Sequence, residues 1–189
     1  MSVQFLRYPG GKQRFICAFH HLLPSPQKID GRYVEPFLGG GSVFFFVKPR
    51  VAMLSDINDE LIELYEGLKA DFHDVWKFFS GFPASRSSYY EIRDNDLTHL
   101  SLSERAARTL YLNRTCFKGM WRHNAQGRFN VGYGGEARRS VVTQKDLELV
   151  ANYLENTTLN SCDFEYTISM CREGDFLFLD PPYSPGQEE

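Results

Sequence analysis

The sequence predicts an α/β fold: strands of a parallel sheet alternate with helical crossovers, and a different kind of segment interrupts them over about 75–140. Three observations predict it. Short apolar or β-branched runs alternate with stretches of helical periodicity. One run, Phe176-Leu177-Phe178-Leu179, holds four consecutive apolar residues, the pattern of a strand covered on both faces. Glycine or proline clusters directly follow two of the runs, where the chain must turn out of a strand.

Each element has its own signal. Residues 13–23 read as a helix stopped by Pro24. Residues 32–35 form a short strand broken by Pro36 and three glycines, and 42–47 open the next helix. Residues 51–54 are a second strand. Asn58 can then cap a helix with Leu61, Leu64, Tyr65 and Leu68 along one face. Ser101-x-x-Glu104 has the form of a capping box for a helix running to Leu112. Thr143 caps another, with Leu147, Val150, Ala151 and Leu154 on its core side. Strands are expected over 158–162 and 176–179.

At 42% hydrophobic and 15% aromatic residues, the 189-residue chain is globular, long enough for one domain or one domain carrying an insertion. No apolar run approaches the roughly 20 residues of a membrane span, and the N-terminus lacks a signal-peptide core. Cys17, Cys116, Cys162 and Cys171 are irregularly spaced, so neither a disulfide framework nor a zinc knuckle is expected, and a reducing cytosol is the natural home. The scattered histidines offer no ligand spacing, and no metal is expected. The net charge of −3 conceals a segregation: residues 111–145 carry +6 and residues 146–189 carry −9. Basic side chains interleaved with Phe, Trp, Tyr and Asn over 117–133 suit a nucleic-acid-reading loop. They suit a solvated basic loop over buried aromatics equally well.

Two further motifs carry chemistry. Glu35-Pro36-Phe37-Leu38-Gly39-Gly40-Gly41-Ser42 joins a strand to a helix through glycines, which let a ligand approach the backbone and the free N–H groups of the helix start. Asp56 follows the next strand, 17 residues after Gly39, where an acid can take both hydroxyls of a ribose. The spacing is not GxGxxG, so a nucleoside is favoured over a dinucleotide; a plain tight turn is the alternative. Asp180-Pro181-Pro182-Tyr183 follows the apolar strand at its carboxyl end, where open α/β sheets bind ligands. The prolines withhold two N–H donors and leave carbonyls free to accept. An acid and a carbonyl facing one pocket can accept both hydrogens of an exocyclic amine, and the tyrosine offers a face for a base.

These blocks, in this order, resemble the Dam-type (class alpha) DNA adenine N6-methyltransferases, from residue 5 to the end of the chain. Tyr8-Pro9-Gly10-Gly11-Lys12 resembles the N-terminal cofactor block, whose aromatic and lysine contact S-adenosyl-L-methionine. Glu35 to Ser42 matches the family's EPFxGxGS loop, and Asp56 in Leu54-Ser55-Asp56-Ile57-Asn58 its ribose-binding acid. Leu112-Asn113-Arg114 through Gly119, then Arg122, Asn124, Gly127 and Phe129-Asn130-Val131, resembles the target-recognition hairpin. Asp163-Phe164 resembles the pair flanking the cofactor's adenine, and Asp180 to Tyr183 the catalytic block.

The resemblance implies a Rossmann-like S-adenosylmethionine-dependent methyltransferase sheet with an inserted, mostly helical target-recognition domain carrying a β-hairpin. Residues 1–74 and 141–189 would form the catalytic domain and 75–140 the insertion. It implies cofactor contacts from Tyr8, Lys12, Pro36, Phe37, Gly39, Gly41, Asp56, Asp163, Phe164 and Asp180, and catalysis by Asp180, Pro181, Pro182 and Tyr183 on an adenine flipped from double-stranded DNA. Arg122 would read base edges with Lys118, Asn124 and Asn130 beside it, while Arg114, Arg128, Arg138 and Arg139 would meet phosphates. A monomer in a bacterial or phage-type cytoplasm, near the nucleoid and paired with a restriction endonuclease or acting alone, is the expected setting. Tyr8 stands where the family often has tryptophan; Lys118 and Gly132 stand where it usually has asparagine and proline, so a GATC-like target rests on resemblance alone. Family members continue well past the catalytic block, whereas this sequence stops six residues after Tyr183, which reads as a catalytic domain incomplete at its C-terminus. Three alternatives stay open: cytosine N4, an RNA adenine or a protein amide as acceptor. A fourth is a non-catalytic fragment that binds DNA or cofactor.

Overall fold

The computed structural model describes residues 5–7, 12–83, 85–135 and 142–182. Four parallel strands, β1 (Tyr33–Glu35), β2 (Ala52–Asp56), β3 (Thr157–Ser161) and β4 (Phe176–Leu177), form one sheet in the order β3-β2-β1-β4. Tyr33 lies opposite Ala52 on one side and Phe176 on the other, and Ala52 lies opposite Thr157. The chain runs outward from β1 through β2 to β3, then returns to place β4 on the opposite flank of β1. A cleft opens at such a reversal, beyond the carboxyl ends of the strands.

The helices are α1 (Gln13–Phe19), α2 (Ser42–Val47), α3 (Asp59–Gly81), α4 (Arg86–Asp94), α5 (Leu102–Thr115), α6 (Gln144–Leu154) and α7 (Phe164–Ser169). The three expected caps form. Asn58 accepts from the Leu61 N–H at 3.3 Å, and Ser101 with Glu104 and Thr143 with Asp146 each close a reciprocal capping box. α3 changes direction at Asp71, whose φ of −159° and ψ of 87° are not helical and whose carboxylate accepts the Asp74 N–H at 3.0 Å, so a second helical segment starts there. α3 packs along α5, with α6 against it and β3 beneath. α3 and α5 come close at Gly67, where an added Cβ would stand 2.5 Å from the Ala106 Cβ.

The core is rich in aromatic residues. Phe5, ahead of all the elements, sits edge-on to Phe45 and Tyr65 at 6.0 and 5.9 Å between ring centres. Asn113 clamps the segment carrying it: its side chain accepts the Arg7 N–H at 2.8 Å and donates to the Arg7 carbonyl at 2.7 Å, pairing as a neighbouring strand would.

Several expectations need adjustment. β4 is short and half-buried, with Leu179 beyond it 49% exposed, because among the described residues it pairs with β1 alone. α1 ends at Phe19 and a 3-10 turn carries the chain to Leu22, while α5 runs on to Thr115 because its last turn is buried. α4 and α7 were not expected. α4 is a polar, serine-rich helix capped by Ser85, and α7 is capped by Asp163.

The start of β1 is tied to the start of β4 by one ion pair. Asp175 accepts from the Arg32 backbone N–H at 2.7 Å and pairs with its guanidinium at 2.7 Å. The hydrogen bonds from Arg32 hold the Asp175 carboxyl down at about 2.

Candidate active site and nucleic-acid interface

A cavity of about 720 Å³ lies at the carboxyl ends of β1, β2 and β4, where the strand order reverses. Ten of the expected site residues line it: Lys12, Pro36, Phe37, Gly39, Asp56, Asp163, Phe164, Asp180, Pro181 and Pro182. Tyr8, Tyr183, Arg138 and Arg139 lie outside the described residues.

The glycine loop is held in place by its neighbours. Asp56, at the end of β2, accepts the Gly39 N–H at 2.8 Å through one oxygen and the Asn58 N–H at 3.0 Å through the other. Tyr65 of α3 donates to the Gly39 carbonyl at 3.0 Å. Gly39 sits at φ 50°, a left-handed conformation that suits glycine. Gly41, expected at the cofactor, does not line the cavity. It caps α2 at φ 64°, and a Cβ there would meet the Phe45 ring at 2.7 Å, so packing alone requires glycine.

The remaining lining is apolar where a flat group would rest. Ile57 follows Asp56 and is 76% exposed, an unusual placement for an isoleucine beside a cavity. Phe37 and Phe164 stack on each other at 5.2 Å between ring centres. A third ring between them would need about 7 Å, two contacts of about 3.5 Å. A planar base therefore has its open apolar face toward Ile57. A carboxylate offers roughly four lone-pair positions, so Asp56 can bind its two backbone donors and still accept from a diol. These features fit a purine nucleoside with its ribose at Asp56.

Across the cavity, the Asp180 carboxylate pairs with the Lys12 ammonium at 2.8 Å. Lys12 sits directly before α1 and accepts its first-turn N–H from Ile16, so that helix start delivers the cation to the end of β4. The same cavity is lined by Glu35, a residue whose motif by itself marks no role for it. It is buried at the end of β1 and accepts the Tyr33 hydroxyl at 2.7 Å. Burial pushes its carboxyl up to about 8. The folded chain thus holds this proton more tightly than the unfolded chain does. The corresponding stability is complete below the ordinary glutamate value of 4.5 and is lost as pH rises through about 8. Glu35→Gln is expected to flatten that decline, worth on the order of a few kcal/mol across the window. Melting temperatures of both proteins at intervals from pH 5 to pH 9 check it; parallel curves would show that Glu35 does not titrate there.

The basic segment after α5 folds back as a hairpin. His123 and Phe129 face each other across it, as do Cys116 and Tyr133 nearer the stem. Asn124 makes the tip: its side-chain oxygen accepts the N–H groups of Gln126 and Arg128, both at 3.0 Å, and Gly127 turns at φ 72°. The Arg122 Nε donates to the Asn130 side chain at 3.0 Å, so the two stand side by side on one face. Lys118, Arg122 and Arg128 are exposed. Lys118 holds φ 55°, a conformation that asparagine tolerates better than lysine. Arg114, expected at a phosphate, is only 5% exposed and donates toward the Phe5 carbonyl. It belongs to the anchoring of the N-terminal segment, because α5 carries it under residues 5–7 instead of outward. Among the described residues no three His, Cys, Asp or Glu converge as metal ligands do, and no helix is long and apolar enough to cross a membrane.

Residues 8–189 match the sequence profile described as D12 class N6 adenine-specific DNA methyltransferase. The chain is 32% identical to the type II methyltransferase M1.LlaDCHI of Lactococcus lactis subsp. cremoris over 97% of its own length and 66% of that protein's. It is 30% identical to the type II methyltransferase M.MjaIII of Methanocaldococcus jannaschii over 96% of its length and 69% of that protein's. It is 31% identical to the DNA adenine methylase of Serratia marcescens, again over 96%, covering 67% of that protein. The chain thus spans about two thirds of the length of these relatives.

Proposed function

The chain belongs to the D12 class N6 adenine-specific DNA methyltransferases, and from that premise we propose that it methylates N6 of an adenine flipped out of double-stranded DNA, with S-adenosyl-L-methionine as donor. The observation that carries this reading is the convergence of Asp56 and Asp180 on one cavity from two strands, at the reversal of the sheet.

The cofactor supplies an electrophilic methyl group on a sulfonium. The chain's own residues do the rest. Asp56 holds the ribose, and Ile57 and Phe37 cover the base. Asp180 and the Pro181 carbonyl accept the two hydrogens of the target amine. An adenine amine is a poor nucleophile because its lone pair is delocalised into the ring. Acceptors on both hydrogens favour the pyramidal form and stabilise the positive charge that grows on nitrogen during attack. Lys12 orients the Asp180 carboxylate through their 2.8 Å ion pair, so that its oxygens face the target amine. Holding donor and acceptor in line supplies the entropic part of the rate. Tyr183 stacks on the flipped base.

Residues 1–74 and 141–189 serve as the catalytic part and 75–140 as the recognition part. Arg122, aligned by Asn130, reads base edges, with Lys118 beside it and Arg128 on phosphate. Two of the three relatives are named type II methyltransferases, which supports a restriction endonuclease as functional partner.

The test uses duplex DNA and S-adenosyl-L-methionine labelled on its methyl group, followed by digestion to nucleosides. Label in N6-methyldeoxyadenosine supports the proposal. Label in N4-methylcytosine, or in RNA but not DNA, would reassign the acceptor. Binding of both ligands without transfer would support the non-catalytic reading.

A further inference from the structure

Outside the cavity, one carboxylate joins elements that are far apart in sequence. Glu60 lies in the first turn of α3, two residues after its cap Asn58 and four after Asp56. One of its oxygens is 3.0 Å from the His123 Nε2 in the hairpin, and the other is 3.2 Å from the Arg108 Nη1 on α5. Arg108 is 5% exposed and also donates to the carbonyls of Ile92 at 3.0 Å and Arg93 at 2.7 Å, where α4 ends. That same end of α4 holds the returning arm of the hairpin. The Val131 carbonyl accepts from the Tyr89 hydroxyl at 2.8 Å and the Arg93 guanidinium at 3.4 Å.

We propose that Glu60 is a positioning residue that couples the base-reading hairpin to the cofactor end of the sheet. An acid in the first turn of a helix is favoured by the helix dipole, but such an acid needs no partner elsewhere. This one bridges two, and one of them is a buried guanidinium with no other carboxylate bonded to it among the described residues. The hairpin is gripped on both arms, at His123 and at Val131. His123 lies between Arg122 and Asn124, directly under the exposed reading face. The first turn of α3 begins where Asp56 and Ile57 meet the cavity. A ligand that fixes the Asp56–Asn58 turn therefore also fixes the carboxylate that orients the hairpin, and the link works in both directions. Duplex binding should tighten binding in the cavity, and the reverse.

The inference rests on the proposed DNA-methylating function, and its test separates the two. Dissociation constants for S-adenosyl-L-homocysteine are measured with and without a duplex that the protein methylates. The proteins compared are the wild type, Glu60→Gln, His123→Phe and the double variant. His123→Phe leaves the Glu60–Arg108 pair intact, so it remains informative should Glu60→Gln fail to fold. In the wild type the duplex is expected to tighten analogue binding about 5- to 50-fold. Each single variant should lose most of that factor while its affinity for S-adenosyl-L-homocysteine alone changes by no more than about twofold, and the double variant should lose no more than the worse single one. A tightening factor unchanged in His123→Phe overturns the proposal, as does a wild type that methylates adenine without any tightening. A wild type that neither binds nor methylates duplex DNA overturns the proposed function first, and this inference with it.

Discussion

Asp180→Ala is expected to lower methyl transfer to DNA by at least about 10³-fold while leaving the fold intact. The size follows from where the carboxylate stands. It lies at the carboxyl end of β4, beside the Lys12 ammonium at 2.8 Å, and faces the same cavity as Asp56. Without it, the Pro181 carbonyl alone would accept from the target amine and no carboxylate beside it would offset its growing positive charge, while the lysine remains to oppose that charge. The effect on stability is expected to be small: both side chains are about one-fifth exposed, and pairs of this kind contribute roughly 0–1 kcal/mol. The two effects are therefore separable in one set of experiments. Single-turnover transfer should collapse while the melting temperature holds. Full transfer in the variant would remove Asp180 from the chemistry.

A large effect on stability is expected at Gly67. A Cβ there would stand 2.5 Å from the Ala106 Cβ, far inside van der Waals contact, where α3 packs on α5. Glycine inside a helix costs about 0.5–1 kcal/mol relative to alanine, so helix propensity alone predicts that Gly67→Ala stabilises. The packing predicts the reverse, a loss of about 1–3 kcal/mol, and a larger loss for Gly67→Val. Equilibrium denaturation decides between them. Adding Ala106→Gly to Gly67→Ala should restore part of the loss, because the second change removes the methyl in the way. A stabilised single variant would mean that the helices separate there at little cost.

The caps were legible in the sequence because a cap is a local device. Asn58, Ser101 with Glu104, and Thr143 each bond to a group no more than three residues away. The cavity was legible for a related reason: a parallel sheet brings its strand ends together, so residues just after each strand meet in space. Arg114 and Gly41 read differently in the structure because their surroundings come from elsewhere in the chain. Arg114 is covered by residues 5–7, more than a hundred positions away, and the sequence carries no sign of that contact. Glu35 was quoted within a motif but given no role, since its raised pKa comes from burial that the motif does not record. α4 escaped notice because its sequence is polar and serine-rich, with few apolar residues to mark a face, although it supplies both donors to Val131.

The Asn113 clamp has a consequence for the order of events at the ribosome. Phe5 and Arg7 are made before α5, and the Asn113 that clamps Arg7 lies 106 positions later. At about 5–20 residues per second, the aromatic ring that closes the core waits roughly 5–20 s for the helix that will hold it. Through that interval the sheet's first two strands exist without their plug, and the early chain offers Phe5, Phe44 and Phe45 to whatever is nearby. Chaperone supply during that interval should then raise the yield of this protein.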